Sequence, residues 1–458
     1  MSKTTNNQSN VILHAFDWPY ALVAQRAKEI KELGYQTVLV SPPMKSFRDS
    51  NEVKWWQLYQ PQDYRVIDNK LGNTEDFKAM MLELNDVGVW VYIDVVFNHM
   101  ANESAARLDL QYPSNNDMQS YTEHRAYFEQ QKLFGDLDEA LFDEHDFVEA
   151  FGIENWKDRW EVQNGRLTGG PQDPGLPTLR TSSHVIKQQQ AYLLAMKNLG
   201  VRGFRIDAAK HLTIEHIKQV FTKEITQDMH VFGEIITDGG ATEEEYELFL
   251  QPYLKETRLA AYDFPLFKTV YEALESKSGS LTALIDPYCF GQALTNERSI
   301  TFAVTHDIPN NEVFSNLVMS ETNEWLATVY ILTRDGGVPL IYSDLDPSGI
   351  KNTNEEPRWV EGWRDQKLSH VIRFCHAVHG EPFELLEAND DLLAFKRGRK
   401  GIVLINKSTR PKSINVDLNG LYNSVLTRQS VDGITGNIHV AAGSAELLIC
   451  GEIKQSPL

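Results

Sequence analysis

Short apolar runs alternate with amphipathic stretches through most of this chain. Val11–Trp18 is the first run, and Ala21–Leu33 then repeats apolar residues at helical spacing up to Gly34, which suits a helix stop. Thr37–Val40 is the second run, closed by Pro42 and Pro43. Thr74–Val87 reads as a helix with Thr74 and Glu75 at its start and Gly88 after its end, and Val89–Val96 is the third run. Runs of this length suit strands buried on both faces, and their alternation with helices argues for a parallel sheet.

The pattern breaks over residues 100–180, which are rich in Asn, Asp, Gly and Pro. A long irregular segment inside a compact domain reads as an inserted functional subdomain. Regularity returns with a helix over Val185–Leu199 and a fourth strand over Val201–Asp207. Val231–Ile236, Ala260–Phe267, Ile300–Val304 and Val338–Tyr342 follow as strands five to eight, and Leu368–His379 as the last helix. Eight strands with helices between them predict a (β/α)8 TIM barrel built from residues 1–99 and 181–385, with 100–180 inserted after strand three. From Asp391 the texture changes. Leu392–Lys396, Gly401–Asn406, Lys412–Val416 and Ser444–Cys450 are short runs between turn residues, which predicts an antiparallel β-domain over 386–458.

Composition narrows the function. A chain of 458 residues exceeds one small domain. Its formal net charge of -20 argues against nucleic acid as a partner and is compatible with a neutral substrate. The 10% aromatic content suits sugar-binding faces and equally an ordinary large core. Cys289, Cys375 and Cys450 are odd in number and far apart, which fits unpaired thiols in a reducing compartment. The N-terminus is polar, without the apolar core of a signal peptide, and no run of 18 apolar residues occurs. These features predict no membrane partner and a cytoplasmic protein as the chain stands, or a secreted one if a leader has been removed; a monomer is the expectation, though no feature of the sequence fixes the oligomeric state.

Polar residues cluster where four strands end. The segments are Tyr92-Ile-Asp-Val-Val-Phe-Asn-His99, Gly203-Phe-Arg-Ile-Asp-Ala-Ala-Lys-His211, Phe232-Gly-Glu-Ile-Ile236 and Phe302-Ala-Val-Thr-His-Asp307. The carboxyl ends of barrel strands are where such folds place their chemistry. A lone Asp at a strand end is a cap or turn residue as readily as a catalyst. Four such segments in order point instead to one rim carrying Asp207, Glu234 and Asp307. Glycoside hydrolysis needs two carboxyl groups in different environments, one ionised and one protonated. Arg205 precedes Asp207 by two residues, so it shares a strand face with it and is expected to hold it ionised. Glu234, framed by Phe232, Ile235 and Ile236, is expected to hold its proton through burial.

The four segments resemble the signature regions of the α-amylase family of glycoside hydrolases. Val11-Ile-Leu-His-Ala-Phe-Asp-Trp18, Val40-Ser-Pro-Pro43, Trp55-Trp-Gln-Leu-Tyr-Gln-Pro61 with Tyr64, and Asn85-Asp-Val-Gly-Val-Trp-Val-Tyr-Ile-Asp94 extend the resemblance over roughly residues 11–345. It implies Asp207 as nucleophile, Glu234 as acid and base, and Asp307 as a binder and distorter of the sugar ring. It also implies sugar contacts from His99 and His306, an orienting Arg205, and Lys210 and His211 toward the leaving group. Trp56 and Tyr59 would stack on glucose rings with Trp55 nearby, and Gln60, Asp94 and Ile236 belong to the same substrate-binding set. The implied reaction is retaining endo-hydrolysis of α-1,4-glucosidic bonds in starch, glycogen or maltooligosaccharides. A transglycosylase or maltogenic enzyme is the alternative, and a non-catalytic scaffold member a third reading.

Two departures from the family pattern matter. A structural calcium between barrel and insertion would use Asn98, the main-chain carbonyl of His211 and an acid from the insertion. Where the family usually has Asp in Gly175-Leu-Pro-Thr-Leu179, this chain has Thr178, so Asp173, or else Asp136, Asp138 or Asp143, would have to substitute. Calcium is expected there on that basis. Chloride is not expected, because Thr305 stands where chloride-binding members carry Asn and Ser343-Asp-Leu345 offers no arginine. Among the remaining histidines, His14, His184, His216, His376 and His379 lack metal-ligand spacing, and His14 is the one positioned to face the barrel interior.

Overall fold

The structure is a computed structural model describing residues 9–48, 53–169, 172–237, 243–289, 291–418, 420–427, 430–431 and 436–451. Part of the polar N-terminus, residues 1–8, lies outside the described residues. Eight parallel strands close into a barrel: β1 (Ile12–Ala15), β2 (Thr37–Val40), β3 (Trp90–Val95), β4 (Gly203–Ile206), β5 (His230–Gly233), β6 (Ala260–Tyr262), β7 (Ser299–Phe302) and β8 (Val338–Ser343). Each pairs with its sequence neighbours, and β1 closes the ring on β8 through Ile12 opposite Leu340. The strands are apolar because both faces are covered, by the barrel interior and by the surrounding helices. Gly203 is required at one close approach. A Cβ there would lie 2.5 Å from the Tyr92 ring and 2.7 Å from the His230 carbonyl oxygen.

The helices start and stop where the sequence signals them. Tyr20–Leu33 ends on Gly34, whose φ of 105° is left-handed. Thr74–Asp86 begins with a capping box between Asn73 and Asp76. Strand six differs from the expectation. It stops at Tyr262, and Asp263 caps a helix over Phe264–Glu275 with Pro265 in its first turn. The Asp-Phe-Pro signal of a helix start outweighs the apolar run that continues through Phe267.

The insertion is more helical than its composition suggests, with helices over Asn115–Glu123, Arg125–Gln131 and Arg159–Asn164. The first buries only Tyr121 and the second only Gln131, so no apolar stripe marks them in the sequence. A buried ion pair ties this segment to the barrel. Arg65 binds Asp63 at 2.9 Å and donates to the Glu139 carbonyl at 2.8 Å, while the Tyr121 hydroxyl donates to Asp63 at 3.1 Å.

The C-terminal strands are β9 (Phe383–Ala388), β10 (Leu392–Arg397), β11 (Gly401–Asn406), β12 (Lys412–Asn415), β13 (Tyr422–Ser424), β14 (Ser430–Val431), β15 (Asn437–Val440) and β16 (Ser444–Cys450). Six form an antiparallel sheet in the order β9-β10-β11-β16-β13-β14, and β12 pairs with β15. The Arg397 guanidinium docks this sheet on the barrel by donating to the carbonyls of Arg334 at 2.6 Å and Glu381 at 2.8 Å. A buried cation is tolerated there because its donors are satisfied.

Candidate active site

The ends of β3, β4 and β5 converge on one guanidinium, and the end of β7 brings His306 and Asp307 beside Glu234. Arg205, on β4, is fully buried. It reaches Asp94 at 2.5 Å and Asp207 at 3.2 Å through Nη1, and Glu234 through Nη2. Residues two apart on a strand face the same side, which brings Arg205 and Asp207 together. After Asp207 the chain turns through Ala208, whose φ of 47° is left-handed without glycine. That turn aims the Ala208 N–H at Glu234 Oε2, which accepts it at 3.0 Å. Glu234 also lies with His306 and Asp307, their potential ligand atoms all within 4.8 Å of one another.

Electrostatics in this group departs from the expectation for Asp207. Burial pushes its carboxyl well above the usual carboxylate range, Glu234 pushes in the same direction, and Arg205 only opposes them. Burial is the main reason, and the one nearby cation, shared among three carboxylates rather than reserved for Asp207, does not offset it. Asp307 is also pushed well above its usual range, by burial first and Glu234 second. In the site without substrate, burial and mutual repulsion thus disfavour the charged forms of Asp207 and Asp307. Burial holds His306 well below its ordinary value and His99 at about 4, so both rings are neutral and act as hydrogen-bonding groups. His306 Nε2 at 3.5 Å from Asp307 is thus no ion pair.

Aromatic rings wall the carboxylates. Tyr59 stacks on His306 at 5.5 Å between centroids, and its hydroxyl donates to Asp94 at 3.0 Å. His99 Nε2 meets the Tyr59 carbonyl at 2.9 Å. Trp55 packs edge-on against both Tyr59 and His306. His14 does face the barrel interior, beside Phe16, Tyr342 and His306.

The remaining expected contact residues are placed as follows. Trp56 turns outward and stacks on Phe47, leaving Trp55 against the site, because neighbouring residues on the 3-10 turn Trp55–Tyr59 point about 120° apart. Asp94 is fully buried beneath Arg205 and Tyr59, where it supports the floor of the site. Gln60 accepts from Asn102 N at 3.0 Å and serves the loop. The Lys210 ammonium is buried and pairs with Glu245 at 2.9 Å, a partner the sequence reading did not single out. His211 Nδ1 is engaged with the Val162 carbonyl at 2.9 Å, and the Trp156 ring lies edge-on to it. Ile236 follows β5 and is half-buried.

The proposed metal residues do not converge on a carboxylate cage. Asn98 is buried and its amide lies 3.3 Å from His99 Nδ1. Asp173 is exposed, and its Oδ1 accepts from Asn102 at 2.6 Å and from Gly175 N at 2.9 Å, so the loop's own turn occupies it. Asp138 pairs with Arg125 and Asp143 caps the turn at 144–146. Among the described residues, the group of His, Cys, Asp and Glu near enough to share an ion is Glu234, His306 and Asp307.

Residues 22–327 match the family model for the alpha amylase catalytic domain. The chain belongs to the alpha-amylase family. It is 47% identical to an alpha-amylase of Aeromonas hydrophila over 399 residues, 87% of this chain and 84% of that protein. It is 25% identical to mouse pancreatic alpha-amylase 2a5, across 96% of this chain and 91% of that one. Its fold superposes on alpha-amylase I of Eisenia fetida with a TM-score of 0.76 at 19% identity, over 96% of this chain and 97% of that one. The gamma-CGTase of alkalophilic Bacillus clarkii superposes nearly as well, with a TM-score of 0.73 at 17% identity, over 97% of this chain and 71% of that one. The family match together with the 47% identity to an alpha-amylase over most of both chains makes this chain a glycoside hydrolase of the alpha-amylase type that acts on α-1,4-glucans, and no described helix is long and apolar enough to cross a membrane.

Proposed function

We propose that the chain hydrolyses internal α-1,4 bonds of starch, glycogen or maltooligosaccharides by double displacement on Asp207. The observation that carries this reading is Arg205 bridging Asp207 and Glu234 on adjacent strand ends, with Asp307 facing Glu234. Asp207 attacks the anomeric carbon, and the bond to the leaving oxygen breaks as Glu234 gives that oxygen its proton. Glu234, now a carboxylate, takes a proton from water. The water oxygen bonds the anomeric carbon and releases Asp207. Two inversions leave the α configuration. Asp307, His99 and His306 hold the sugar hydroxyls, and Tyr59 and Trp55 exclude water from the ring's faces. Lys210 and His211 lie on the leaving-group side, since Lys210 N donates to the Glu234 carbonyl. The reaction routes no step through calcium or chloride.

Transfer to a sugar hydroxyl uses the same intermediate, and the fold shared with the gamma-CGTase does not separate the two outcomes. A time course on soluble starch tests the hydrolytic reading. Iodine staining is expected to collapse while few reducing ends have appeared, giving short maltooligosaccharides. The rate should fall as acid returns the proton to Asp207, with the acidic limb above the usual carboxylate range because its carboxyl is raised. Products longer than supplied maltooligosaccharides would establish transfer instead. Untouched starch would reject the substrate class.

A further inference from the structure

The junction between barrel and insertion is closed by direct hydrogen bonds where the family resemblance implies an ion. Thr178 is 2% exposed, and its hydroxyl donates to the Gly165 carbonyl at 3.0 Å. Its main chain forms an antiparallel bridge with His99, and its carbonyl accepts from Val148 N at 3.0 Å. On either side, Met100 N donates to the Pro177 carbonyl at 3.0 Å and Leu179 N to the Asn98 carbonyl at 2.9 Å. The His211 end is held by its ring contact to the Val162 carbonyl and by Gln163, which donates to the Leu212 carbonyl at 3.1 Å.

Calcium requires six to eight oxygens, and carboxylates supply most of the affinity. Here a neutral hydroxyl takes the carboxylate position and spends its proton on a carbonyl. The acids that would have to substitute are engaged elsewhere: Asp173 by Asn102 and Gly175, Asp138 by Arg125, Asp136 by the N–H of Asp138, and Asp143 by the N–H of His145. A hydroxyl donor also fits this spot better than an acid would. An aspartate at 178 would set a carboxylate oxygen against the Gly165 carbonyl oxygen, with no hydrogen between them.

We propose that this chain closes its barrel–insertion junction through the Thr178 hydroxyl in place of a structural calcium, so that its stability is independent of calcium. The disagreement with the family pattern thus has a physical basis in one residue and its hydrogen bond.

The test reads stability and metal content, so it stands apart from the assignment of activity. The full chain, dialysed into metal-free buffer, is melted in excess EDTA and in excess calcium chloride, and its bound calcium is measured by mass spectrometry. The two melting temperatures are expected to agree within about 1 °C, because a ligand that does not bind the native state does not stabilise it. Bound calcium should be far below one ion per chain. A melting temperature several degrees lower in EDTA and restored by calcium overturns the proposal, as does stoichiometric calcium. Thr178→Asp is expected to melt lower in EDTA and to rise with calcium, having regained a charged ligand. Thr178→Val removes the hydrogen bond without adding charge, and should melt lower by the same amount in both buffers. Should Thr178→Asp fail to fold, calcium-dependent melting of Thr178→Val would overturn the proposal on its own.

Discussion

Replacing Asp207 by Asn is expected to lower kcat on starch by about 10^4-fold or more while leaving the fold intact. The amide keeps the size of the carboxyl and still offers an oxygen to Arg205 Nη1, but it has no charge with which to attack the anomeric carbon. Stability should hold or rise slightly. The native carboxyl is buried and raised well above its usual range, so its charged form is disfavoured there, and removing it relieves repulsion with Glu234. A purely structural Asp207 would give the opposite pattern, a modest rate change with a clear loss of melting temperature. Asp207→Ala sharpens the distinction. The small cavity admits azide, which can attack from the vacated face and release a β-glycosyl azide when the substrate carries a good leaving group. A variant within tenfold of wild type, or an alanine variant deaf to azide, would remove Asp207 from the nucleophile role.

Arg205→Met is expected to have the second largest effect, and on two quantities at once. Breaking a buried charge network by removing one partner costs about 3–5 kcal/mol, because the remaining charge stays buried without compensation. Asp94 softens that cost. Its carboxyl already stands at about 6 with Arg205 present, pushed up mainly by burial, so without the guanidinium it would keep its proton at neutral pH. The stability loss should therefore fall near the lower bound at pH 6 and grow as pH rises and the unfolded chain's Asp94 favours the ionised form. A raised native carboxyl binds a proton that the unfolded state has released, so stability decreases with rising pH in that window. Turnover should fall by about 10^2- to 10^3-fold, the size expected when a preorganised charge is removed from a reacting centre. Asp94→Asn in the same chain should recover part of the stability and none of the turnover. Recovery of both would show that Arg205 serves only the packing of the floor.

Much of this site was legible before any coordinates, and the reasons are local. Strand ends follow from apolar runs, and the carboxylates and histidines that matter lie directly after them. Asp207, Glu234 and Asp307 needed only the barrel pattern to be placed on one rim. What the sequence hid depends on contacts across the fold. Asp94 sits inside the apolar run Val89–Val96, two residues before its end, and nothing local says that a guanidinium from the next strand will bury it. Trp55 and Trp56 are indistinguishable as a pair, and the turn that separates them is fixed by packing of Leu58 and Tyr59. Glu245 is one of four acids within five residues, at 243–245 and 247, so nothing local in the sequence selects it as the partner of Lys210. The helices of the insertion lacked a stripe to announce them. Their polar caps, Ser114 and Asp158, were the signals present.

The most direct measurement of the central claim is the anomeric form of the first product. Maltoheptaose is cleaved in an NMR tube with enough enzyme to outrun mutarotation, and the anomeric protons of the new reducing ends are followed from the first seconds. Double displacement on Asp207 predicts that the α-anomer appears first and the β-anomer only later, as the sugar mutarotates. A β-anomer formed first would mean a single displacement by water, and would contradict the assignment of Asp207 as nucleophile.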